Sequence, residues 1–164
     1  MSMRALDSPA GRVPKIGHAR PCQHRAGPVS PELDALFQAA RTVRERAHAP
    51  YSRFRVGAAL RDETGAVHAG CNVENAAYPV GTCAEGGAIS AMVAAGGRRI
   101  REILVLAEGD GPVTPCGACR QRIREFADPA TPIHAADPRR VLASFTLEQL
   151  LPASFGPETL AGDA

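Results

Sequence analysis

Two hydrophobic patterns follow each other after residue 29 of this chain, and they predict a helix and then a strand. Apolar residues first recur at helical spacing, three or four positions apart. Ser30 is a good N-cap and Pro31 suits the first helical position, so the helix should begin there and end before Pro50. Apolar and polar residues then alternate, which is typical of a strand. The helical positions are Leu33, Leu36, Phe37, Ala40 and Val43, and the apolar strand positions are Phe54, Val56, Ala58 and Leu60.

The remainder of the chain predicts a hairpin, a loop and then alternating helices and strands. A turn at 62–65 lets the chain return antiparallel over 66–73, and residues 74–82, with Pro79 and Gly81, predict a loop. The later predicted elements are a helix from Cys83 to about Ala95, a strand at Ile103–Ala107, a helix at Pro115–Phe126, strands at Ile133–Ala136 and Val141–Phe145, and a helical turn at Leu147–Leu151. The order α-β-β-α-β-α-β-β predicts an α/β fold, in which helices pack on a sheet.

Composition is that of an ordinary globular protein. The 164 residues suffice for one domain with a real core, and 45% of them are hydrophobic. No run of eighteen apolar residues occurs, so no membrane span is expected. The first residues lack the pattern of a secretory signal. We therefore expect a cytoplasmic protein whose five cysteines stay reduced, with some of them serving metal or catalytic chemistry.

Charge is distributed unevenly along the chain. The net charge is +2, but residues 1–30 carry +4 and the remainder carries −2. The leading segment also lacks apolar periodicity, so residues 1–29 are predicted to be a disordered basic tail and residues 30–160 a single domain. A nucleic-acid-binding arm is the alternative for the tail. The slightly acidic body argues against it, and no nucleic-acid partner is expected.

Three cysteines are placed as metal ligands would be. Cys116 and Cys119 are three residues apart on one face of the predicted third helix, and Cys83 begins another helix. Helix N-termini favour thiolate over thiol. Three thiolates would fill three zinc positions and leave the fourth for water, as catalytic sites do. Two alternatives stay open: a redox role for the Cys116–Cys119 pair, and a structural site with Cys71 as fourth ligand.

Glu85 is the acid expected to act beside such a metal. It lies on a helical stripe with Ala88, Ile89 and Met92, which should face the core. A carboxylate on that stripe is costly unless it has a partner. The alternative is that Glu85 only stabilises the first turn of its helix, as acidic residues near a helix N-terminus do. Two residues from a metal cysteine, however, a glutamate can take a proton from zinc-bound water and deliver it elsewhere.

Several motifs together resemble the small, all-cysteine cytidine deaminases. The zinc motifs are Cys83-Ala84-Glu85 and the stretch from Pro115 to Cys119, which match the signature of zinc deaminases. Three further segments, 50–59, 70–79 and 150–157, are similar to the family's first strand, nucleoside-binding segment and C-terminal signature. The likeness covers residues 50–160.

The resemblance implies a fold, an assembly and a set of binding residues. The fold would be a three-layer α/β/α sandwich around a five-stranded mixed sheet, and the assembly a homotetramer with one Zn²⁺ per chain. The implied roles are ribose binding for Asn72 and Glu74, a flank of the nucleoside for Phe54, base contact through the backbone of Ala84, a reach into a neighbouring subunit's site for Tyr78 and Phe155, and support of the zinc ligands for Arg120. Turn capping by Asn72 and Glu74, and simple packing by the aromatic residues, are the alternatives.

The implied reaction is hydrolytic deamination of cytidine or 2′-deoxycytidine by a zinc-activated water, in pyrimidine salvage, with Glu85 moving the proton. The partners are then a pyrimidine nucleoside and water. Gly86 departs from the family, which commonly has an arginine after the catalytic glutamate to offset the charge of three thiolates. Two alternatives remain: a deaminase of modified or antibiotic cytosine nucleosides, of the blasticidin type, and a noncatalytic module stabilised by zinc.

Overall fold

The computed structural model describes residues 30–160, so the predicted basic tail at 1–29 lies outside the described residues. The helices and strands follow the predicted order. The helices are α1 (Pro31–Arg44), α2 (Ala84–Ala94), α3 (Gly117–Phe126) and α4 (Leu147–Leu150), and the strands are β1 (Val56–Asp62), β2 (Val67–Cys71), β3 (Ile100–Ala107), β4 (Pro132–Ala136) and β5 (Val141–Thr146). Short 3₁₀ turns occur at Tyr78–Val80 and Pro157–Thr159. Ser30 caps α1 as predicted, because its hydroxyl accepts the backbone N–H of Leu33 at 3.3 Å.

The five strands form one mixed sheet in the order β2-β1-β3-β4-β5. Strands β3 and β4 are parallel, and the other three neighbouring pairs are antiparallel. The predicted hairpin is the β1–β2 pair, in which Gly57 lies opposite Cys71. Two expectations are thereby confirmed, an α/β fold and a five-stranded mixed sheet.

Helices cover both faces of the sheet. On one face, α1 packs through Leu36, Phe37 and Ala40 against Ala59 of β1 and Leu104 of β3. On the other face, α2 and α3 bury residues against the neighbouring positions of the same strands. That second cluster includes Ala58, Leu60, Ala88, Met92, Ile103, Val105 and Ile123. The result is the three-layer sandwich that the resemblance implied.

The first strand differs from its prediction at the start. Phe54 is not part of β1, which begins at Val56, and Phe54 is 42% exposed. Its backbone is bonded to a side chain instead, because Asn72 donates to the carbonyl of Phe54 at 2.9 Å and accepts the N–H of Val56 at 2.8 Å. The prediction that Phe54 belongs to the strand is therefore wrong. Residues 57–60 are also buried without alternation, since both faces of β1 are covered.

Gly70 allows α2 to lie unusually close to the sheet. A Cβ on Gly70 of β2 would lie 2.4 Å from the backbone nitrogen of Ala88 and 2.7 Å from the carbonyl oxygen of Ala84. No side chain fits there without moving the helix. This close approach fixes the N-terminus of α2 beside the segment that follows β2.

Within residues 30–160, none of the helices combines the length and the apolar character needed to cross a bilayer.

Candidate metal centre and active-site cleft

Three cysteine side chains converge at one point beside the sheet. The Sγ atoms of Cys83, Cys116 and Cys119 all lie within 4.8 Å of one another, and those of Cys83 and Cys116 are 3.9 Å apart. We call this group the thiol centre. Cys119 is fully buried, whereas Cys116 is exposed. Cys71 is not part of the group, which argues against the alternative of a fourth cysteine ligand.

Two helix N-termini position the thiol centre. Cys83 is the N-cap of α2 and Cys116 is the N-cap of α3, and both have extended backbone angles. Cys119 lies one turn further along α3, so its side chain points back towards its own N-cap. Both helices therefore direct the positive ends of their dipoles at the three sulfurs, which favours bound anionic sulfur.

The geometry and chemistry of the thiol centre fit a zinc ion. Zinc binds thiolate at about 2.3 Å in a tetrahedral arrangement, which places neighbouring sulfurs about 3.8 Å apart. The separation of 3.9 Å between the Sγ atoms of Cys83 and Cys116 is close to this value, and the third Sγ lies within 4.8 Å of both. In the part of the chain that the structure describes, the group has three members and contains no histidine. Three protein ligands are the number found in catalytic zinc sites.

Glu85 lies directly against the thiol centre. It is the second residue of α2 and only 4% exposed. Burial raises the pKa of its carboxyl above the ordinary range, against smaller lowering effects from its own backbone N–H, the Cys119 thiol and the Arg122 guanidinium. A raised pKa suits a carboxylate that must both accept and release a proton near neutral pH.

The thiols are strongly coupled to this carboxylate and to each other. Burial raises the pKa of Cys119, and the charges of Glu85, Cys83 and Cys116 raise it further. Burial also raises the pKa of Cys83. The pKa of Cys116 is lowered overall, because interactions with Cys119 and Cys83 outweigh the opposing effect of burial. Full ionisation of the three thiols beside Glu85 therefore requires a cation.

A cleft of about 520 Å³ opens beside the thiol centre. Its walls come from the segment before β1 and from the loop between β2 and α2. The lining residues are Tyr51, Ser52, Asn72, Val73, Glu74, Asn75, Tyr78, Gly81, Thr82 and Cys83. Because Cys83 is among them, a small molecule in the cleft can reach the centre.

Backbone bonds join the cleft wall to the metal centre. Val73 and Thr82 exchange two hydrogen bonds of 2.9 Å, which holds the residue after Asn72 against the residue before Cys83. On the opposite side, Glu74 accepts the backbone N–H groups of Tyr51 at 2.9 Å and Ser52 at 3.1 Å, and also binds the Ser52 hydroxyl. The Ser52 hydroxyl bond is the main cause of the lowered pKa of Glu74.

Comparison with known proteins assigns this site to a family. The model of the cytidine and deoxycytidylate deaminase zinc-binding region matches residues 31–135. The chain belongs to this family. It is accordingly a zinc-dependent hydrolytic deaminase with one zinc ion as its cofactor.

Individual relatives within the deaminase family match over most of the described residues. A cytidine deaminase of Sporosarcina psychrophila is 40% identical over 130 residues, which are 79% of this chain and 96% of that protein. A crystal structure of cytidine deaminase from Burkholderia pseudomallei superimposes with a TM-score of 0.71 at 43% identity, covering 74% of this chain and 98% of that one. A cytidine deaminase of Mycobacterium tuberculosis is 42% identical over 116 residues, which are 70% of this chain and 82% of that protein. The fold is therefore that of the cytidine deaminases.

Some of the predicted substrate residues of this deaminase line the cleft, and others lie outside it. Asn72 and Glu74 line the cleft, as a binding role requires, and Tyr78, which was predicted to reach a neighbouring subunit's site, also lines the cleft of its own chain. Phe54 and Ala84 are not among the lining residues: Phe54 is exposed next to the cleft segment, and Ala84 is buried as the first residue of α2. These assignments stay predictions.

Phe155 lies apart from the cleft, on the C-terminal segment. It is 56% exposed, and its carbonyl accepts the side-chain amide of Gln121 at 2.9 Å. Arg124 holds the same segment through Ser154 at 3.0 Å and through an ion pair with Glu158. Helix α3, which carries two of the three thiols, therefore also positions Phe155.

The residues that sequence reasoning missed are Tyr51, Ser52 and Arg122. The first two lie inside the stretch 50–59 that resembled the family, but nothing in their type marked them as partners of Glu74. Arg122 Nη1 lies 3.8 Å from Cys119 Sγ. Its position three residues after Cys119 was a usable signal, because residues at that spacing share a helix face.

Arg120, which was predicted to support the zinc ligands, binds the loop before Cys116. Its guanidinium donates to the carbonyl oxygens of Pro115 and Leu150, both at 2.8 Å, and to the hydroxyl of Thr114 at 3.1 Å. These bonds fix the approach of the chain to the Cys116 N-cap. Its supporting role stays a prediction. Arg120 would act on Cys116 indirectly, through its hydrogen bond to the backbone of Pro115.

Proposed function

We propose that this deaminase hydrolyses cytidine or 2′-deoxycytidine to the corresponding uracil nucleoside and ammonia. The observation that carries the proposal is the buried Glu85 carboxylate beside three converged thiols, one of which, Cys83, lines a cleft of about 520 Å³. The names of the relatives in Sporosarcina and Mycobacterium support the choice of substrate.

In the proposed mechanism, Cys83, Cys116 and Cys119 would hold the zinc ion. When bound, zinc supplies Lewis acidity, which makes a water molecule nucleophilic near neutral pH. A Glu85 carboxylate oxygen would accept a proton from the water as the water oxygen bonds to C4 of cytosine, and would pass that proton to the ring nitrogen N3. The same oxygen then takes the remaining hydroxyl proton and delivers it to the amine on C4. The carbon–nitrogen bond breaks, and ammonia leaves.

The cleft residues would bind the nucleoside. Asn72 and Glu74 would bind the sugar hydroxyls, Phe54 would flank the nucleoside, and the backbone of Ala84 would meet the base. Since Glu74 also holds the backbone of Tyr51 and Ser52, it would shape the cleft as well as bind sugar.

The proposed assembly is a homotetramer in which Tyr78 and Phe155 reach neighbouring sites. Support comes from their exposure, 75% for Tyr78 and 56% for Phe155, which is high for large aromatic side chains. We further propose a cytoplasmic enzyme of pyrimidine salvage, with residues 30–160 as the catalytic domain. A molar mass near four chains in light scattering is the expected result, and a monomer would contradict the assembly.

A substrate panel tests the proposed activity. Ammonia release is measured with cytidine, deoxycytidine, deoxycytidylate, a modified cytosine nucleoside and single-stranded DNA, while zinc is quantified per chain. Turnover of cytidine or deoxycytidine with one zinc per chain is expected. Preference for the modified nucleoside would move the assignment to the antibiotic type. Full zinc loading without any turnover would indicate a noncatalytic module.

A pair of cysteine variants tests the metal ligands. Cys119→Ser should lose both zinc and activity, because it removes a thiolate from the centre. Cys71→Ser removes the same atom from a strand residue outside the centre and should keep both. Equal zinc content in the two variants would contradict the ligand assignment.

A further inference from the structure

The thiol centre has an unbalanced charge. Three thiolates around Zn²⁺ leave a net charge of −1, and the buried Glu85 carboxylate adds another negative charge beside it. The two helix N-termini offset part of this, with about half a positive charge each. A positive charge nearby would stabilise this partly buried centre, because uncompensated charge beside the buried Cys119 and Glu85 is costly.

Among the described residues, Arg122 is the cation whose side chain contacts a thiol. Its Nη1 lies 3.8 Å from the Sγ of the fully buried Cys119. Arg120, the neighbouring arginine on α3, has its donors committed to Pro115, Thr114 and Leu150.

Gly86 lies directly beside the Arg122 side chain. A Cβ at Gly86 would lie 3.9 Å from Cδ of Arg122 and 3.7 Å from Cγ2 of Thr82, so the aliphatic part of Arg122 lies over the glycine. A shallow groove runs along this contact, and Thr82, Gly86 and Arg122 are among the residues that line it. Both distances are ordinary van der Waals contacts, so a Cβ at position 86 would not displace Arg122.

We propose that Arg122 is a positioning residue of the metal centre, whose positive charge offsets the thiolates and Glu85 from α3 in place of a cation at position 86. It does not touch the reacting atoms. The inference rests on the proposed function, in which the thiols hold zinc and Glu85 moves the proton. It goes beyond that function by assigning the charge balance of the site to a residue that lies outside the zinc motifs.

Four variants test the proposal. Arg122→Gln removes the charge, Arg122→Lys keeps it, and the double variant Arg122→Gln/Gly86→Arg restores it from α2. Arg101→Gln, which removes an exposed arginine from β3, is the matched control for net charge. Zinc affinity is measured by transfer to a chromogenic chelator, and kcat and KM are measured for cytidine.

The variants should separate clearly. Arg122→Gln should lose zinc affinity and kcat by about 10- to 100-fold each, as is usual when a group behind a metal ligand is removed, with KM within about threefold. Arg122→Lys should recover part of this loss and the double variant most of it. Arg101→Gln should match the unaltered enzyme.

Three results would overturn the proposal. Arg122→Gln could match Arg101→Gln in zinc affinity and kcat. Its losses could persist in both Arg122→Lys and the double variant, which would mean that the shape of Arg122 matters rather than its charge. Its zinc-free form could melt well below the zinc-free unaltered enzyme, which would assign the residue to folding. Chelator competition needs no substrate, so it tests Arg122 even if cytidine is not turned over.

Discussion

The thiol centre and the cleft beside it are built in different ways. The centre is formed by the ends of two helices that pack in the core, and its acid and one of its thiols are buried. The cleft is formed by loop residues, and two of its aromatic side chains, Tyr51 and Tyr78, are 52% and 75% exposed. They contact each other edge to face, with centroids 5.9 Å apart. One region is complete within a single chain, whereas the other presents apolar surface to solvent.

This difference suggests that the thiol centre determines the rate of the reaction and the cleft determines the choice of substrate. Helix ends fix the distances between metal ligands and acid, and catalysis depends on those distances. Loop residues can vary without disturbing them, so the cleft can adjust its choice of substrate. Changes in the centre should therefore reduce kcat, and changes in the cleft should raise KM.

The largest expected effect comes from Glu85→Gln. The amide cannot accept the proton of the attacking water, so kcat should fall by about 10²- to 10⁴-fold, the usual contribution of a general acid–base group. Zinc content should not change, since Glu85 is not one of the proposed ligands. Steady-state kinetics with metal analysis measures both quantities. A kcat within tenfold of the unaltered enzyme would remove Glu85 from the mechanism.

The cleft should respond differently, through KM. Glu74→Gln removes a charged acceptor from the backbone of Tyr51 and Ser52 and from the proposed sugar site. Hydrogen bonds to charged groups contribute about 1.5–3 kcal/mol, so KM should rise about tenfold or more, with kcat within about threefold.

Glu63→Gln is the matched control for Glu74→Gln. Glu63 also accepts two backbone N–H groups, those of Arg98 and Arg99 at 2.9 Å each, but it lies away from the cleft. It should leave KM unchanged. Equal effects of the two substitutions would show that Glu74 has no special relation to the substrate.

The two regions were also unequally predictable from sequence. The thiol centre depends on local properties: the spacing of the cysteines, the starts of the helices and the position of Glu85. Spacing along a helix determines which side chains are neighbours, so these features could be predicted. Glu74 and Ser52 are 22 residues apart in sequence and meet only in the folded chain. No local sequence pattern predicts such a contact. The contact of Arg122 with Cys119 could have been predicted from helical spacing, because, of the three arginines on α3, only Arg122 lies three residues after Cys119.

Gly70 of β2 and Gly87 of α2 face each other where the sheet meets the helix that carries Glu85. A Cβ on Gly70 would lie 2.4 Å from the backbone of α2, so Gly70→Ala must push the helix away and should destabilise the protein by about 1–3 kcal/mol. A Cβ on Gly87 would lie 3.5 Å from its nearest neighbour, the Cα of Gly70. Gly87→Ala should therefore be neutral, or stabilising by up to about 1 kcal/mol through helix propensity. Thermal unfolding measures both, and equal melting temperatures would contradict the close packing.

The smallest expected effect lies at the β1–β2 turn, remote from either region. Buried Asp62 accepts the N–H and hydroxyl of Thr64 at 2.8 and 2.6 Å and contacts His68 Nε2 at 2.8 Å. Bonds from Thr64 and His68 hold the pKa of Asp62 well below its usual range, against the opposing effect of burial.

Because the pKa of Asp62 is lower in the folded state than in the unfolded state, the carboxylate stabilises the fold above the unfolded pKa, at about 4. This stabilisation is lost as the pH falls through the folded value. Asp62→Asn should therefore cost about 1 kcal/mol of unfolding free energy at pH 7, and the difference from the unaltered protein should shrink below about pH 4. Denaturant unfolding across pH measures it, and a difference that stays constant with pH would contradict the ionised state. Since this turn touches neither the thiol centre nor the cleft, kcat and KM at pH 7 should not change, which separates the stability of the fold from the chemistry of the site.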